Sequence, residues 1–167
     1  STFSDWWAYK FEVNDAIPFN GPIMHNAGIV VAYNSDDAEM SRRLNQEAAK
    51  AVKYGNVSEE DAWKFVTLNP AKLLHIDDKV GSIKVGKDAD IVLWNANPLS
   101  IYAKAEKTLI EGVVYYDAKK DEAQRVAIAK ERSELIGQLL QEKNKGMTTQ
   151  EPKKKEKTEY HCDSMEE

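Results

Sequence analysis

Three features that would point to particular protein classes are missing from this chain of 167 residues. Its single cysteine, Cys162, excludes an internal disulfide, and one thiol suits the cytoplasm and the periplasm alike. No apolar run approaches the roughly 20 residues that a membrane-spanning helix needs. The net charge of −5 argues against a nucleic-acid partner, because Lys153–Lys155 is the longest basic run and lies among acids.

Histidine is also scarce, which limits the metal chemistry that the chain can support. His25, His75 and His161 are the three histidines, and none forms a His-x-His pair. We expect a surface or structural role for each of them. A catalytic zinc site normally takes three protein ligands, so we expect this chain by itself to lack a complete site.

The chain also lacks the usual features of a protein N-terminus. Residues Ser1–Trp7 include no initiator Met, and they lack the basic and apolar regions of a signal peptide. They are rich in aromatic residues, which is typical of a structured segment. We therefore expect the chain to be part of a longer protein, and the sequence does not indicate a compartment.

The most informative feature that is present is an apolar run that ends in acids. Residues 28–33 read Gly-Ile-Val-Val-Ala-Tyr, and Asn34-Ser35-Asp36-Asp37 follows. A continuous run of this kind favours a strand buried on both faces, as in a parallel sheet. Barrel enzymes place catalytic groups at the C-terminal ends of such strands. Asp36 is therefore a candidate catalytic residue, although the residues alone favour a helix cap, since Asp is common at that position and needs no metal there.

Helical patterns follow this junction. A helix is predicted over residues 38–54, with Gly55 as its stop. The segment Ser58–Asp61 resembles a capping box and predicts the start of a second helix. That helix should end near Leu68, since Pro70 disfavours helix at the preceding residue. The apolar residues of the first helix share one face: Leu44, Ala48, Ala51 and Val52.

Asn69 is predicted to cap a short third helix that has Pro70 at its first position. From Asp78 the period changes to that of strands, with Ile83 and Val85 alternating with polar residues. The predicted elements that follow are a buried strand over 91–94, a hairpin that turns at Glu111-Gly112, and a charged helix over 121–143.

Four segments, in this order, resemble the C-terminal third of the amidohydrolase superfamily, particularly its imidazolonepropionase-like branch. The resemblance covers roughly residues 28–117, and its N-P-A-K and G-S-I-x-x-G-K-D-A-D signatures are together specific. The segments are the strand that ends in Asn34-Ser35-Asp36, the helix from Glu60 that leads into Asn69-Pro70-Ala71-Lys72, Val80–Trp94, and Thr108–Tyr115.

The resemblance implies an α/β fold, namely the C-terminal part of a (β/α)8 barrel plus part of a composite β-sandwich, with a C-terminal helix. The barrel part would be residues 1–76, with the last barrel strand at 28–34. The sandwich strands would be 77–118 and the C-terminal helix 119–146. A charged tail, expected to be disordered, would be 147–167.

The resemblance also implies a chemistry. Enzymes of this superfamily use one or two divalent metals, and zinc is the expected one, to activate a water that attacks a C–N bond. An Asp that ends the eighth strand binds metal and shuttles the water proton. Asp36 matches that position, and Asp37 is the expected helix cap. Trp6, Tyr9 and Arg42 are candidate contacts to a small-molecule substrate.

The expected function is hydrolysis of a cyclic amide, an imidazolone or a small dipeptide by the longer protein, with this chain inactive alone. Open strand edges predict self-association or pairing with a missing N-terminal part of the barrel. Two alternatives stay open. One is a non-catalytic interaction module or pseudoenzyme fragment, and the other is a prolidase-like dipeptidase of the same superfamily.

Overall fold

The computed structural model describes residues 1–35, 39–148 and 150. The chain divides into two units, Ser1–Glu122 and Ala123–Glu167. No helix among the described residues combines the length and the apolar character needed to cross a membrane. The helices are α1 (Asn20–Asn26), α2 (Leu44–Gly55), α3 (Glu59–Lys64), α4 (Leu68–Leu73) and α5 (Ala118–Asn144), with 3-10 turns at Phe11–Val13 and Met40–Arg43. The strands are β1 (Ile91–Trp94), β2 (Ala105–Ile110) and β3 (Val113–Asp117).

The core of the first unit lies where α2 and α3 pack against the segment that precedes Asp36. Its buried members are Val31, Tyr33, Ala51, Val57, Ala62 and Phe65. Ala48 and Ala51 are completely buried, as the predicted apolar face of α2 requires. Small side chains at these positions let the neighbouring backbone approach closely. The removal of this apolar surface from water is what stabilises the cluster.

The helices begin and end at different residues from those predicted. A 3-10 turn precedes α2, and Asn56 rather than Gly55 takes the left-handed conformation, at φ 53°, that closes it. Asn tolerates that conformation and commonly ends helices. The Ser58 cap of α3 is confirmed, because Ser58 Oγ accepts a hydrogen bond from the Asp61 amide at 3.1 Å.

The prediction that Asn69 caps a helix was wrong. Helix α3 ends at Lys64, and α4 begins at Leu68, one residue before Asn69. Pro70 still falls in the first turn of α4, where its missing N–H costs nothing. The Asn69 side chain instead donates to the Val31 carbonyl at 2.7 Å. The Asn69 side chain thus forms a tertiary hydrogen bond, although the local sequence pattern predicts that it caps a helix.

The predicted strand over 28–34 is not formed as a ladder within the described residues. A single parallel bridge joins Tyr33 to Thr2. Val31, Ala32 and Tyr33 are buried, whereas Ile29 and Val30 are exposed. A buried parallel strand needs a neighbour on each edge along its length, and here only Thr2 runs alongside. Pairing of this segment as a barrel strand stays a prediction.

The three strands form an antiparallel sheet in the order β1-β2-β3. The predicted hairpin turn joins β2 to β3, with Glu111 at φ 50° and Gly112 at φ 80°, as a two-residue turn of this twist requires. Two other predictions were wrong. Ile83 lies in an irregular segment and Val85 in a turn rather than in a strand, and both side chains are exposed. Strand β1 forms but leaves Val92 and Leu93 exposed, because no described element covers that part of the sheet.

Candidate functional site

The candidate catalytic residue Asp36 and its neighbour Asp37 lie outside the described residues, as do His161 and Cys162. The structure describes the chain up to Ser35 and again from Glu39. The role of Asp36 therefore stays a prediction. What the structure does show is how the chain is held on either side of it.

The segment that leads into Asp36 is fixed from two sides. On one side, the Thr2 amide donates to the Ala32 carbonyl at 2.9 Å and the Asn34 amide donates to the Thr2 carbonyl at 3.1 Å. On the other side, the Tyr33 amide donates to the Phe65 carbonyl at 2.8 Å. Buried backbone groups must find such partners, so the N-terminus and the end of α3 together set the path of this segment.

The N-P-A-K signature contributes directly to this arrangement. Asn69 lies in the first turn of α4 and donates to the Val31 carbonyl at 2.7 Å. This bond satisfies the Val31 carbonyl, five residues before Asp36, which would otherwise accept a hydrogen bond from a neighbouring strand. Sequence reasoning found Asn69 but assigned it to a helix cap. Its actual partner is 38 residues away in sequence, and no local signal indicates it.

A buried polar cluster lies beside this segment and was missed at the sequence level. Ser4 and Glu47 are 1% and 6% exposed, and the Ser4 hydroxyl donates to the Glu47 carboxylate. Lys50 Nζ lies 2.7 Å from Glu47 Oε2 and 2.8 Å from Asp5 Oδ2. The lysine thus forms ion pairs with both carboxylates. The cluster joins the N-terminal segment to α2.

The signal that could have revealed this cluster is modest. Glu47 and Lys50 are three residues apart on α2, on the side of the buried Ala48 and Ala51. Opposite charges at this spacing on an apolar helix face indicate a pair that is carried into the interior. The partners Ser4 and Asp5 have no sequence signature. They come into range only because the N-terminal segment folds back along Tyr33.

Tyr33 is 3% exposed, and its hydroxyl has no hydrogen-bond partner among the described residues. Burial raises the pKa of the Tyr33 phenol well above its usual value, and the negative charge of Glu47 raises this pKa further. A side chain at Gly21 would collide with the phenol hydroxyl. The glycine is therefore required by close approach, and the ring fills the space that a larger residue would occupy.

The three candidate substrate contacts are not gathered into one pocket by the described residues. Trp6 stacks on Phe3 at a ring distance of 5.0 Å, meets Tyr9 at 4.8 Å and donates to the Met40 sulfur at 3.1 Å. Tyr9 is largely exposed. Arg42 Nη1 lies 3.3 Å from Glu39 Oε1 on the surface. Among the described residues, Trp6 and Arg42 are connected through the Met40–Arg43 turn, because Trp6 contacts Met40 and Arg42 belongs to the same turn.

An open cleft of about 870 Å³ lies within the first unit. Arg42 and Lys87 both line it. Lys87 Nζ donates to the Val80 carbonyl at 3.0 Å and to Ser82 Oγ at 2.8 Å. The apolar lining of the cleft comes from α2, α3, the α3–α4 link, the start of α4 and β1: Leu44, Trp63, Val66, Leu68 and Ile91. Charged residues, among them Asp88 and Asp90, also line the cleft.

The histidines of the described residues do not assemble a metal site. His25 packs edge-on against Phe65 at 5.4 Å, and its Nε2 lies 4.0 Å from Asp61 Oδ2. His75 takes a left-handed conformation just after α4. Across residues 1–35, 39–148 and 150, no three His, Cys, Asp or Glu side chains lie close enough to hold a metal ion. The described residues therefore do not fit a metal centre by themselves.

Comparison with known proteins connects these features to a family. The profile of the amidohydrolase family matches residues 20–119. Amidohydrolase tasK of Hapsidospora irregularis is 34% identical over 116 residues, which are 69% of this chain and 12% of that protein. Imidazolonepropionase of Picrophilus torridus is 43% identical over 70 residues, or 41% of this chain and 18% of the enzyme.

The fold comparison agrees. The crystal structure of an amidohydrolase from Thermotoga maritima superposes with a TM-score of 0.60 and 33% identity, over 70% of this chain and 29% of that one. This chain thus spans between about one eighth and three tenths of the relatives' length. The family match covers the anchored segment before Asp36, the N-P-A-K helix and the sheet. This chain belongs to the amidohydrolase family.

Proposed function

We propose that this chain forms the C-terminal end of a metal-dependent amidohydrolase barrel and part of its composite β-sandwich. The protein would hydrolyse a C–N bond in a cyclic amide, an imidazolone or a small dipeptide. The observation that supports this proposal best is that hydrogen bonds hold Val31–Asn34 from two sides. Thr2 forms them on one side, and Phe65 and Asn69 form them on the other. An active-site carboxylate must be held in place by its surroundings, and this anchoring constrains the chain that leads into Asp36.

In this proposal Asp36 takes the proton of the attacking water and passes it to the leaving nitrogen. A carboxylate suits that task, because it can accept one proton and release it within a single turnover. A divalent metal, proposed to be zinc, would have Asp36 as one of its ligands. Because the described residues do not fit a metal centre, its other ligands would have to come from a missing N-terminal part of the barrel.

The proposed small-molecule substrate would contact Trp6, Tyr9 and Arg42. Trp6 is held against Met40 on the turn that resumes the described chain after Asp36. That contact supports a place for Trp6 near the proposed site. The Tyr9 ring contacts Trp6 at a tilt, and Arg42, in the same turn as Met40, would pair with an anionic group of the substrate.

The first test uses the chain as it exists. We expect no turnover when it is incubated with zinc or manganese and a panel of cyclic amides, an imidazolone propionate and dipeptides. If turnover did occur, the substrates that are consumed would separate a prolidase-like dipeptidase from an enzyme that opens cyclic amides. Turnover by the wild-type chain that is lost in Asp36→Ala would refute the expectation that the chain is inactive alone.

The second test asks whether Asp36 can serve a complete barrel. Residues 20–119 would replace the matching region of the amidohydrolase from Thermotoga maritima, which is 33% identical to this chain. We expect the chimaera to retain activity and Asp36→Asn to lower kcat by about 10²-fold or more, as loss of a general base does. Asp37→Asn is the matched control and should keep most of the activity. Equal loss in both variants would contradict the assignment.

A non-catalytic module is the second candidate, favoured by the lack of a metal-binding cluster among the described residues. The discriminating observation is the coding sequence upstream of Ser1. A His-x-His pair followed by further histidines at strand ends supports the enzyme. Their absence supports the module, in which the sheet and α5 serve assembly.

A further inference from the structure

We propose that α5 pairs with α5 of a second copy of this chain as an antiparallel helical pair. The helix has 27 residues, Ala118–Asn144, and none of them is buried. Apolar side chains stand exposed along it, with Ile128 at 61% and Leu135 at 57%. Most of the stability of a protein helix comes from packing apolar side chains rather than from propensity, and these exposed side chains offer a surface that a partner can bury.

One line of residues on α5 has the spacing of a helix–helix seam. The positions are separated by alternate steps of three and four, which keep them on one side of a supercoiled pair. The line consists of Arg125, Ile128, Arg132, Leu135, Leu139 and Glu142. Four of these, Ile128, Arg132, Leu135 and Leu139, also line a shallow hollow of about 430 Å³ along the helix. The seam is therefore both a sequence pattern and a surface feature.

The seam complements itself when one copy is reversed, because its two ends carry opposite charges, and this selects the antiparallel arrangement. If the midpoint between Arg132 and Leu135 lies on the two-fold axis, Ile128 faces Leu139 of the second copy. Arg125 then faces Glu142 of that copy at both ends of the pair. A parallel pair would instead place Arg125 beside Arg125 and Glu142 beside Glu142, which is unfavourable. The complementary charges of Arg125 and Glu142 therefore favour a second copy of this chain as the partner.

Arg132 is the one charged residue within the seam, and the antiparallel register gives it a partner. It packs beside Leu135 of the second copy, four residues from Glu131 of that copy, a rise of about 6 Å along the helix. The arginine stem can cover the leucine while its guanidinium reaches the carboxylate. A polar group within a seam lowers affinity but fixes register. This inference does not depend on the proposed catalytic function.

The test measures association of the full chain by sedimentation equilibrium. We expect a dimer that Leu135→Gln weakens by about hundredfold, since one buried leucine side chain in each copy is replaced by a polar one. The matched control is Leu140→Gln, the same change on the same helix at 53% exposure, about 140° around the axis from Leu135. It should change the dissociation constant less than about threefold. Circular dichroism checks that both variants stay helical.

Charge reversal and cross-linking test the register. Arg125→Glu and Glu142→Arg should each weaken the dimer by about three- to tenfold, and the double variant should restore it. In a Cys162→Ser background, a mixture of Ile128→Cys and Leu139→Cys chains should cross-link between copies, whereas Ile128→Cys alone should not. A wild-type chain that is monomeric at millimolar concentration, equal loss in Leu135→Gln and Leu140→Gln, or cross-linking of Ile128→Cys to itself would overturn the proposal.

Discussion

Replacement of Tyr33 by phenylalanine should stabilise this protein, against the usual direction for a buried residue. The phenol hydroxyl is buried with no partner among the described residues. A buried hydroxyl without a hydrogen bond costs about 1–3 kcal/mol of desolvation. Tyr33→Phe keeps the ring that packs edge-on against Phe65 at 5.3 Å. Allowing for the lost contacts of one oxygen, we expect the free energy of unfolding at pH 7 to rise by about 1 kcal/mol.

The same substitution should change the response to alkali. The folded state raises the pKa of Tyr33, so the unfolded chain releases that proton first, near pH 10. Stability is unaffected below that pH and falls above it, by up to about 1.4 kcal/mol for each pH unit, until the folded pKa is passed. Tyr33→Phe lacks this contribution, so its advantage over the wild type should grow from pH 10 upward.

The assay is urea unfolding followed by tryptophan fluorescence at pH 7, 9, 10 and 11. Tyr102→Phe is the matched control, because Tyr102 is exposed and the same atom is removed. Its unfolding free energy should stay within about 0.5 kcal/mol of the wild type at every pH. A Tyr33→Phe variant that is less stable by 1 kcal/mol at pH 7 would refute the reasoning, since the hydroxyl would then have a partner that it needs.

Three further predictions concern the contacts around the candidate site. Glu47→Gln should lower the free energy of unfolding by about 2–3 kcal/mol, because the buried carboxylate that faces Lys50 and Ser4 is lost. The control Glu39→Gln, which removes an exposed pair with Arg42, should cost under about 0.5 kcal/mol in the same urea assay. Asn69→Ala should cost about 1–3 kcal/mol by leaving the Val31 carbonyl unpaired, and hydrogen exchange of the Tyr33 amide should accelerate; an unchanged rate would contradict the anchoring role. Hydrogen bonds from Lys64 and Ser58 lower the pKa of Asp61, so its contribution is present above about pH 4 and is lost as the pH falls through the lower folded value. Asp61→Asn should remove that acid dependence from unfolding curves recorded between pH 5 and 2, and a variant whose acid limb matches the wild type would count against it.

The local elements were largely predictable from sequence. The apolar face of α2, the Ser58 cap and the Glu111-Gly112 turn follow from short-range rules of periodicity, capping and turn geometry. The contacts that hold the chain near Asp36 were not. Asn69 has the local pattern of a cap, yet it donates to Val31, and the partners of Glu47 come from the N-terminal segment. Such pairings depend on which distant segments meet.

The predicted strand over residues 28–34 also shows that local sequence and tertiary contacts decide different things. Residues 28–33 have the composition of a buried strand, but a strand exists only where neighbours supply hydrogen bonds along both edges. Within the described residues Thr2 is the one neighbour, so the segment keeps a single bridge and exposes Ile29 and Val30. Composition specifies what a segment can become, and the partners that are present decide what it is.

The sequence by itself determined the family resemblance, the helix and turn signals and the choice of Asp36, because motif spacing and periodicity are properties of short stretches of chain. Only the tertiary structure decided that Asn69 and Phe65 anchor the approach to Asp36 and that Glu47, Lys50 and Ser4 form a buried cluster. It also decided that the Tyr33 hydroxyl has no partner among the residues that the structure describes. Those outcomes depend on burial and on contacts between distant segments, which no local pattern encodes.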